Sequence, residues 1–313
     1  MKTMTELNVS DDPDRDPAIT AADFGMTPSQ MTSADISDFA DDHGFPEKKV
    51  QSWRRAIDRE KQAIFYGPPG TGKTFAAKHF AELITQGTDG ETETLQLHSS
   101  YSYADFIEGI RPVPDSSGDL RYPVVQGRFL DFCERARGED DPYVLILDEI
   151  NRADLSEVMG ELMYLLEYRD EEIHLSQKRM DDDEDKFSIP DNLLIIGTMN
   201  TADRSIALVD FALRRRFAFL PLWPEFEVLY NYHDSDVDVD LDGLVGVIED
   251  IHEAIDDRNF HLGITFFLED NLAVHIEDIW HQEIEPYLRE YFIDDEEKAE
   301  EFEWGEVKAD ILP

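Results

Sequence analysis

Eight consecutive residues, Gly67-Pro68-Pro69-Gly70-Thr71-Gly72-Lys73-Thr74, combine backbone freedom, an ammonium and a hydroxyl at a spacing suited to phosphate. The glycines let successive N–H groups turn inward around a di- or triphosphate. Lys73 would reach the β- and γ-phosphates, and the Thr74 hydroxyl would sit on Mg²⁺. A second constellation is the acidic pair Asp148-Glu149. Asp148 would hold Mg²⁺, directly or through water, and Glu149 would orient and deprotonate an attacking water. Asn200 offers an amide that would hydrogen-bond the γ-phosphate or that water. Arg214-Arg215-Arg216 is the only run of three bases in the chain. Such a run suits a helix C-terminus, where cations meet the dipole. It also suits an arginine finger that reaches a neighbouring subunit's γ-phosphate, because the charge is permanent and the fork bidentate.

These groups can act together only if the chain brings them to one place. Ala63-Ile64-Phe65-Tyr66 reads as a strand before the loop, and Phe75–Leu83 as a helix after it, so the loop ends on the positive end of a helix dipole. Further strands are predicted at Thr94–Leu97, Tyr143–Leu147, Leu193–Gly197 and Phe217–Leu220. The runs before Asp148 and Asn200 are apolar without alternation, as in a parallel sheet covered on both faces. Strands alternating with helices predict a five-stranded, doubly wound α/β sheet with right-handed crossovers, whose ligands bind beyond the strand C-termini. A helix is expected from Asp154, capped with Glu157, through Leu166, and another from about Gly127 to Arg137. Arg111–Val125 and Glu172–Ser188 read as hairpins, the second around the run Asp181–Asp185. After Pro221 only helices are predicted: Pro224–His233, Leu244–Asp257, Asp270–Ile276 and Ile279–Phe292. The expected organisation is an acidic, mostly disordered segment over residues 1–45, with a short helix near Ala34–Ala40. A nucleotide-binding αβα domain follows over 46–222, opened by a helix Pro46–Glu60, and then a helical domain with an acidic tail over 223–313.

Composition points to an environment. There are 71 acidic residues against 28 basic ones, a formal charge of −43. At ordinary ionic strength that charge opposes compaction; at molar salt the screening length falls to about 3 Å and the surface becomes tolerable. Acids are spread over predicted helices as well as loops, which implies a salt-rich cytoplasm such as that of halophiles. No basic patch is evident, so this chain is not expected to be the main contact to DNA. Cys133 is the only cysteine, which leaves no intrachain disulfide and no cysteine-based zinc site. No apolar run approaches the roughly 18 residues of a membrane span, and the polar N-terminus is no signal peptide, so a cytoplasmic location without a membrane role is expected.

Other patterns carry less. Asp238-Val239-Asp240-Leu241-Asp242-Gly243 with Glu249 fits a calcium loop, yet a chain this rich in aspartate makes such patterns by chance and a solvated acidic loop is the expected reading. His252-Glu253 opens like a zinc-protease helix, but position 256 is aspartate. The tryptophans Trp53, Trp223, Trp280 and Trp304 read as packing. No Asn-Lys-x-Asp guanine-reading motif is present.

Together the loop Gly67–Thr74 and the string Asp148-Glu149-Ile150-Asn151-Arg152 resemble the AAA+ superfamily, in its branch of MoxR and dynein-related ATPases. Met199-Asn200-Thr201-Ala202-Asp203-Arg204-Ser205 and Asp210–Phe217 are similar to the McrB family, motor subunits of modification-dependent restriction systems. So are Ser100–Gly109 and Ile284–Phe292, and the resemblance covers about residues 46–293. It implies a ring, hexameric in the family, with ATP or GTP and Mg²⁺ bound between subunits, and a separate McrC-like chain that carries the nuclease. Asn200 would be the first sensor and Arg215 and Arg216 the trans-acting arginines. Asn151, Arg152, Asp203 and Arg204 would support them at the subunit junction. The family often has Gly-His-Ser-Tyr-Phe where this chain has Gly263-Ile264-Thr265-Phe266-Phe267. Residues 1–45 do not match the DNA-reading domain usual in the family, so DNA is expected to be met through another chain. A MoxR-like chaperone that remodels proteins is the rival reading, and a nucleotide-binding scaffold without hydrolysis a third.

Overall fold

The structure is a computed structural model that describes residues 32–176, 186–203, 211–233 and 238–312. Five parallel strands form its centre: β1 (Gln62–Gly67), β2 (Thr92–Gln96), β3 (Tyr143–Asp148), β4 (Leu193–Asn200) and β5 (Ala218–Pro221). Their order across the sheet is β5-β1-β4-β3-β2. The register pairs Gly67 with Asn200 and Gly197 with Leu147, so the ends of β1, β3 and β4 lie side by side. Alternate residues of β3 explain its unbroken apolar run. Leu145 and Leu147 enter a core with Phe129 and Phe132, while Val144 and Ile146 enter a second with Trp53, Phe65 and Phe80. Both faces are covered, as a parallel sheet requires.

Helix α1 (Ser33–His43) stands where a short helix is expected near Ala34–Ala40, and extends it at both ends. Thr32 and Asp35 form a capping box, and Gly44 ends the helix at φ 68°. Ile36, Phe39 and Ala40 are buried, with the Phe39 ring edge-on to Phe80 at 5.9 Å. Three apolar residues at helical spacing suffice once a partner face exists, although their periodicity is weak. Residues 1–31 lie outside the described residues. Helix α2 (Glu47–Glu60) buries Val50, Trp53 and Ile57, and α3 (Lys73–Thr85) follows the loop directly.

The helix expected from Asp154 to Leu166 is two helices, Leu155–Met159 and Leu162–Glu167. Gly160 breaks it at φ 47°, with the Tyr103 ring 3.0 Å from where a Cβ would stand. Asp154 still caps the first by accepting from the Ser156 and Glu157 N–H groups. The first expected hairpin comprises two short ladders, Glu108–Ile110 with Val124–Gln126 and Val113–Pro114 with Leu120–Arg121. The second pairs Ile173–His174 with Lys186–Phe187, and its run Asp181–Asp185 lies outside the described residues.

The C-terminal helices bury a core of their own around Leu244, Ile248, Trp280 and Leu288. Leu272–Ile279 continues through a π-helical turn, Trp280–Ile284, into Glu285–Tyr291. The acidic tail supplies Trp304, Val307 and Ile311 to this core. The calcium pattern dissolves into a helix start, Leu241–Ala254: Asp240 caps it by accepting from the Gly243 N–H, and Asp242 accepts from the Tyr230 hydroxyl. Among the described residues, no helix is long and apolar enough to cross a membrane.

Candidate active site

The phosphate loop needs two left-handed residues, and glycine stands at both, Gly70 at φ 74° and Gly72 at φ 77°. Gly67 is required for closeness: a Cβ there would stand 1.9 Å from the Leu222 carbonyl oxygen. Within the loop the Thr71 hydroxyl donates to the Pro68 carbonyl at 3.0 Å. Lys73 is buried, with its ammonium 2.6 Å from the same carbonyl. Burial pulls its pKa down to about 8, against the opposing pull of Glu149, Asp203 and Asp148. A phosphate arriving here would raise that pKa again, because an anion favours the ammonium.

Asp148 ends β3 in line with the loop. Its Oδ1 accepts from the Thr74 hydroxyl and from the Thr198 hydroxyl, each at 2.7 Å. These are hard oxygen donors set together, the kind Mg²⁺ takes alongside phosphate and water. Glu149 sits in the left-handed region at φ 55°, a conformation that costs a non-glycine residue about 1–3 kcal/mol. The turn aims its carboxylate at β4. Asn200 Nδ2 donates to Glu149 Oε1 at 2.7 Å, and the Glu149 N–H donates to Thr198 Oγ1 at 3.1 Å. Burial raises the Glu149 pKa, while Arg152, 3.4 Å away, holds it down. A base of raised pKa held by one amide is what a buried water-activating carboxylate requires.

Asn151, Arg152 and Asp203, which the resemblance names as supporting residues, lie beside these groups. Asn151 donates to the Asn200 carbonyl at 3.1 Å, and Arg152 lies 3.9 Å from Asp203. Arg204 lies outside the described residues. Pro69, Gly70, Gly72, Lys73, Thr74, Glu149, Thr198, Asn200 and Thr265 line one cleft of about 240 Å³.

Two of these were not singled out from sequence. Thr198 hides inside an apolar strand, though a lone hydroxyl there was a usable signal. Thr265 comes from the helical domain. Its N–H donates to the Gly70 carbonyl at 3.0 Å, and a Cβ on Gly263 would stand 2.0 Å from the Gly70 carbonyl. In the Gly263–Phe267 string Ile264 is buried, while Thr265 faces the cleft. The Thr201 hydroxyl donates to the Asn259 carbonyl at 3.0 Å and ties the same domain to the end of β4.

Arg214, Arg215 and Arg216 form the last turn of the helix Phe211–Arg216, just before β5. The Arg216 carbonyl accepts from Gln62 Nε2 at 2.7 Å, at the start of β1. Five strand steps of about 3.3 Å separate Gln62 from Gly67, so the Arg216 backbone lies at the other end of the strands, roughly 16 Å along β1 from the loop. The arginines do not join their own phosphate loop.

Residues 62–217 match the AAA domain of the dynein-related subfamily, and residues 243–300 match the McrB α-helical lid domain. The type IV methyl-directed restriction enzyme EcoKMcrB subunit of Escherichia coli (strain K12) is 35% identical, over 88% of this chain and 63% of that protein. The type II restriction enzyme BsuMI component YdiS of Bacillus subtilis (strain 168) is 28% identical, over 53% of this chain and 57% of that protein. The chain thus spans less than two thirds of the length of either relative.

Proposed function

We propose that this chain, an AAA protein of the McrB type, hydrolyses ATP or GTP with Mg²⁺ at clefts completed between subunits of a homo-oligomeric, hexameric ring. One observation carries the reading: Glu149, Asn200, Asp148 and Thr74 converge at the phosphate loop, while Arg215 and Arg216 pair with Glu167 by the other end of the strands. A site so divided needs a neighbour.

The phosphate loop binds the triphosphate through its N–H groups, with Lys73 on the β- and γ-phosphates. Thr74 and Asp148 would hold Mg²⁺, which when bound neutralises charge on the phosphate oxygens. Asn200 orients Glu149, which takes the proton from the attacking water. Arg215 and Arg216 of the neighbour meet charge that develops on the γ-phosphate, a contribution of about 10³–10⁵ in rate for arginine fingers.

The restriction role rests on the lid and on two relatives named as restriction subunits, which favour it over protein remodelling. In that role the ring drives a McrC-like nuclease and meets DNA through partners, since its own surface is acidic. The setting is a salt-rich cytoplasm.

The test is phosphate release in molar KCl, with ATP and GTP side by side, across protein concentration. Turnover per subunit should rise with concentration, and the faster nucleotide names the fuel. Lys73→Ala should lose nucleotide binding, whereas Glu149→Gln should bind and not hydrolyse. Full turnover from both variants would overturn the assignment.

A further inference from the structure

Two of the three arginines in the last helical turn before β5 reach the same carboxylate. Arg215 Nη2 lies 3.2 Å from Glu167 Oε1, and Arg216 Nη2 lies 2.8 Å from Glu167 Oε2. Glu167 ends the helix Leu162–Glu167, which belongs to the segment following Asp148-Glu149. Between the two helix ends runs a second tie. Gln62 Nε2 donates to the Leu166 carbonyl and to the Arg216 carbonyl, each at 2.7 Å. Gln62 Oε1 accepts from Arg169 at 2.6 Å, and Arg169 also donates to the Leu193 carbonyl at 3.1 Å. One side chain at the root of β1 thus fixes the backbones of both helix ends, and one carboxylate fixes the forks they carry.

Stability alone does not explain this arrangement. The Arg215 side chain is 76% exposed, and exposed ion pairs contribute about 0–1 kcal/mol. In a chain with 71 acids, two neighbouring cations could each find a carboxylate of their own. Sharing one instead holds two guanidiniums side by side, with the Arg215 fork exposed. Two planar forks held together suit an oxyanion brought from outside.

We infer that Glu167 is a positioning residue that holds Arg215 and Arg216 ready for the neighbouring subunit's γ-phosphate. The inference rests on the shared-site reading given above. Pre-arranged forks lose less freedom when they meet phosphate, and a misplaced group forfeits on the order of a hundredfold in rate.

The test separates the two ideas by mixing subunits. Acceptor subunits carry Arg215→Ala with Arg216→Ala, so they keep a cleft and lack the arginines. Donor subunits carry Glu149→Gln, so their own cleft is silent and their arginines are intact. Donor and acceptor together should release phosphate where neither does alone; failure at this step overturns the shared site itself. A donor that also carries Glu167→Ala should bind nucleotide as tightly as the plain donor yet restore less than roughly a tenth of its turnover. Glu167→Gln, which keeps an acceptor oxygen without the charge, should fall between, and it decides the matter if the alanine variant does not fold. Equal turnover from the plain donor and a folded Glu167 variant would overturn the inference and leave the shared site standing.

Discussion

At the scale of single residues, the chemistry depends on one hydroxyl in an apolar strand. Thr198 donates to Asp148 and accepts from the Glu149 N–H, so it couples the metal-binding carboxylate to the turn that aims the base. It is buried among residues that only pack. Valine would keep its shape and leave a buried N–H without a partner, at a cost of about 1–3 kcal/mol. That cost falls on the orientation of Glu149, whose left-handed backbone is already strained. Thr198→Val should therefore cut turnover by roughly tenfold, since 1.36 kcal/mol is a factor of ten. Its nucleotide affinity should stay close to that of the parent, because the phosphate loop is untouched. Titration with a fluorescent nucleotide beside phosphate-release kinetics checks both. Unchanged turnover would mean that Asn200 alone orients the base.

At the scale of elements, the sheet was legible and its accessories less so. β3 and β4 announced themselves because covered strands are apolar throughout, and the loop did so because left-handed turns need glycine. The break at Gly160 did not, since a lone glycine inside a helical pattern is often tolerated. The cleft's own strand ends were readable, but Thr265 came from a domain whose docking no local pattern encodes. That docking depends on a turn that two histidines brace. His252 donates to the Leu262 carbonyl at 2.9 Å, His261 donates to the Ile255 carbonyl at 3.2 Å, and their rings stack at 4.2 Å. Burial lowers His252 from 6.5 to about 4, and the neighbouring His261 adds to the shift. The unfolded chain therefore binds a proton between these values that the folded lid refuses. Stability from this group is complete above about pH 6.5 and is lost as pH falls toward 4. His252→Gln keeps an N–H for Leu262 and does not titrate, so its melting temperature should fall less steeply across that range in molar KCl. Parallel curves for the two proteins would show that the histidine stack does not hold the lid.

At the scale of the whole molecule, charge sets the conditions under which any of this geometry exists. Of the acids among the described residues Glu108 and Glu285 are buried and Asp148, Glu149 and Asp203 are half-buried at the cleft; many of the others line the surface of a chain whose formal charge is −43. Ion pairs such as Arg128–Glu93 and Arg135–Glu91 engage bases that are already few. The remaining acids repel across distances that water and salt must screen. At 0.1 M salt the screening length is about 10 Å, long enough to join neighbouring acids into one field; at 1 M it is about 3 Å, and each acts almost alone. Moving from molar to 0.1 M KCl should therefore destabilise the fold, and a loss of about 4 kcal/mol would lower the melting temperature by roughly 6 °C. Sucrose added at the lower salt separates screening from general exclusion, because it strengthens burial without shielding charge. It should recover only part of the lost temperature, whereas returning KCl should recover all of it. Melting that is flat across salt would mean that the acids are spaced too widely to repel, and the inferred salt-rich setting would lose its physical basis.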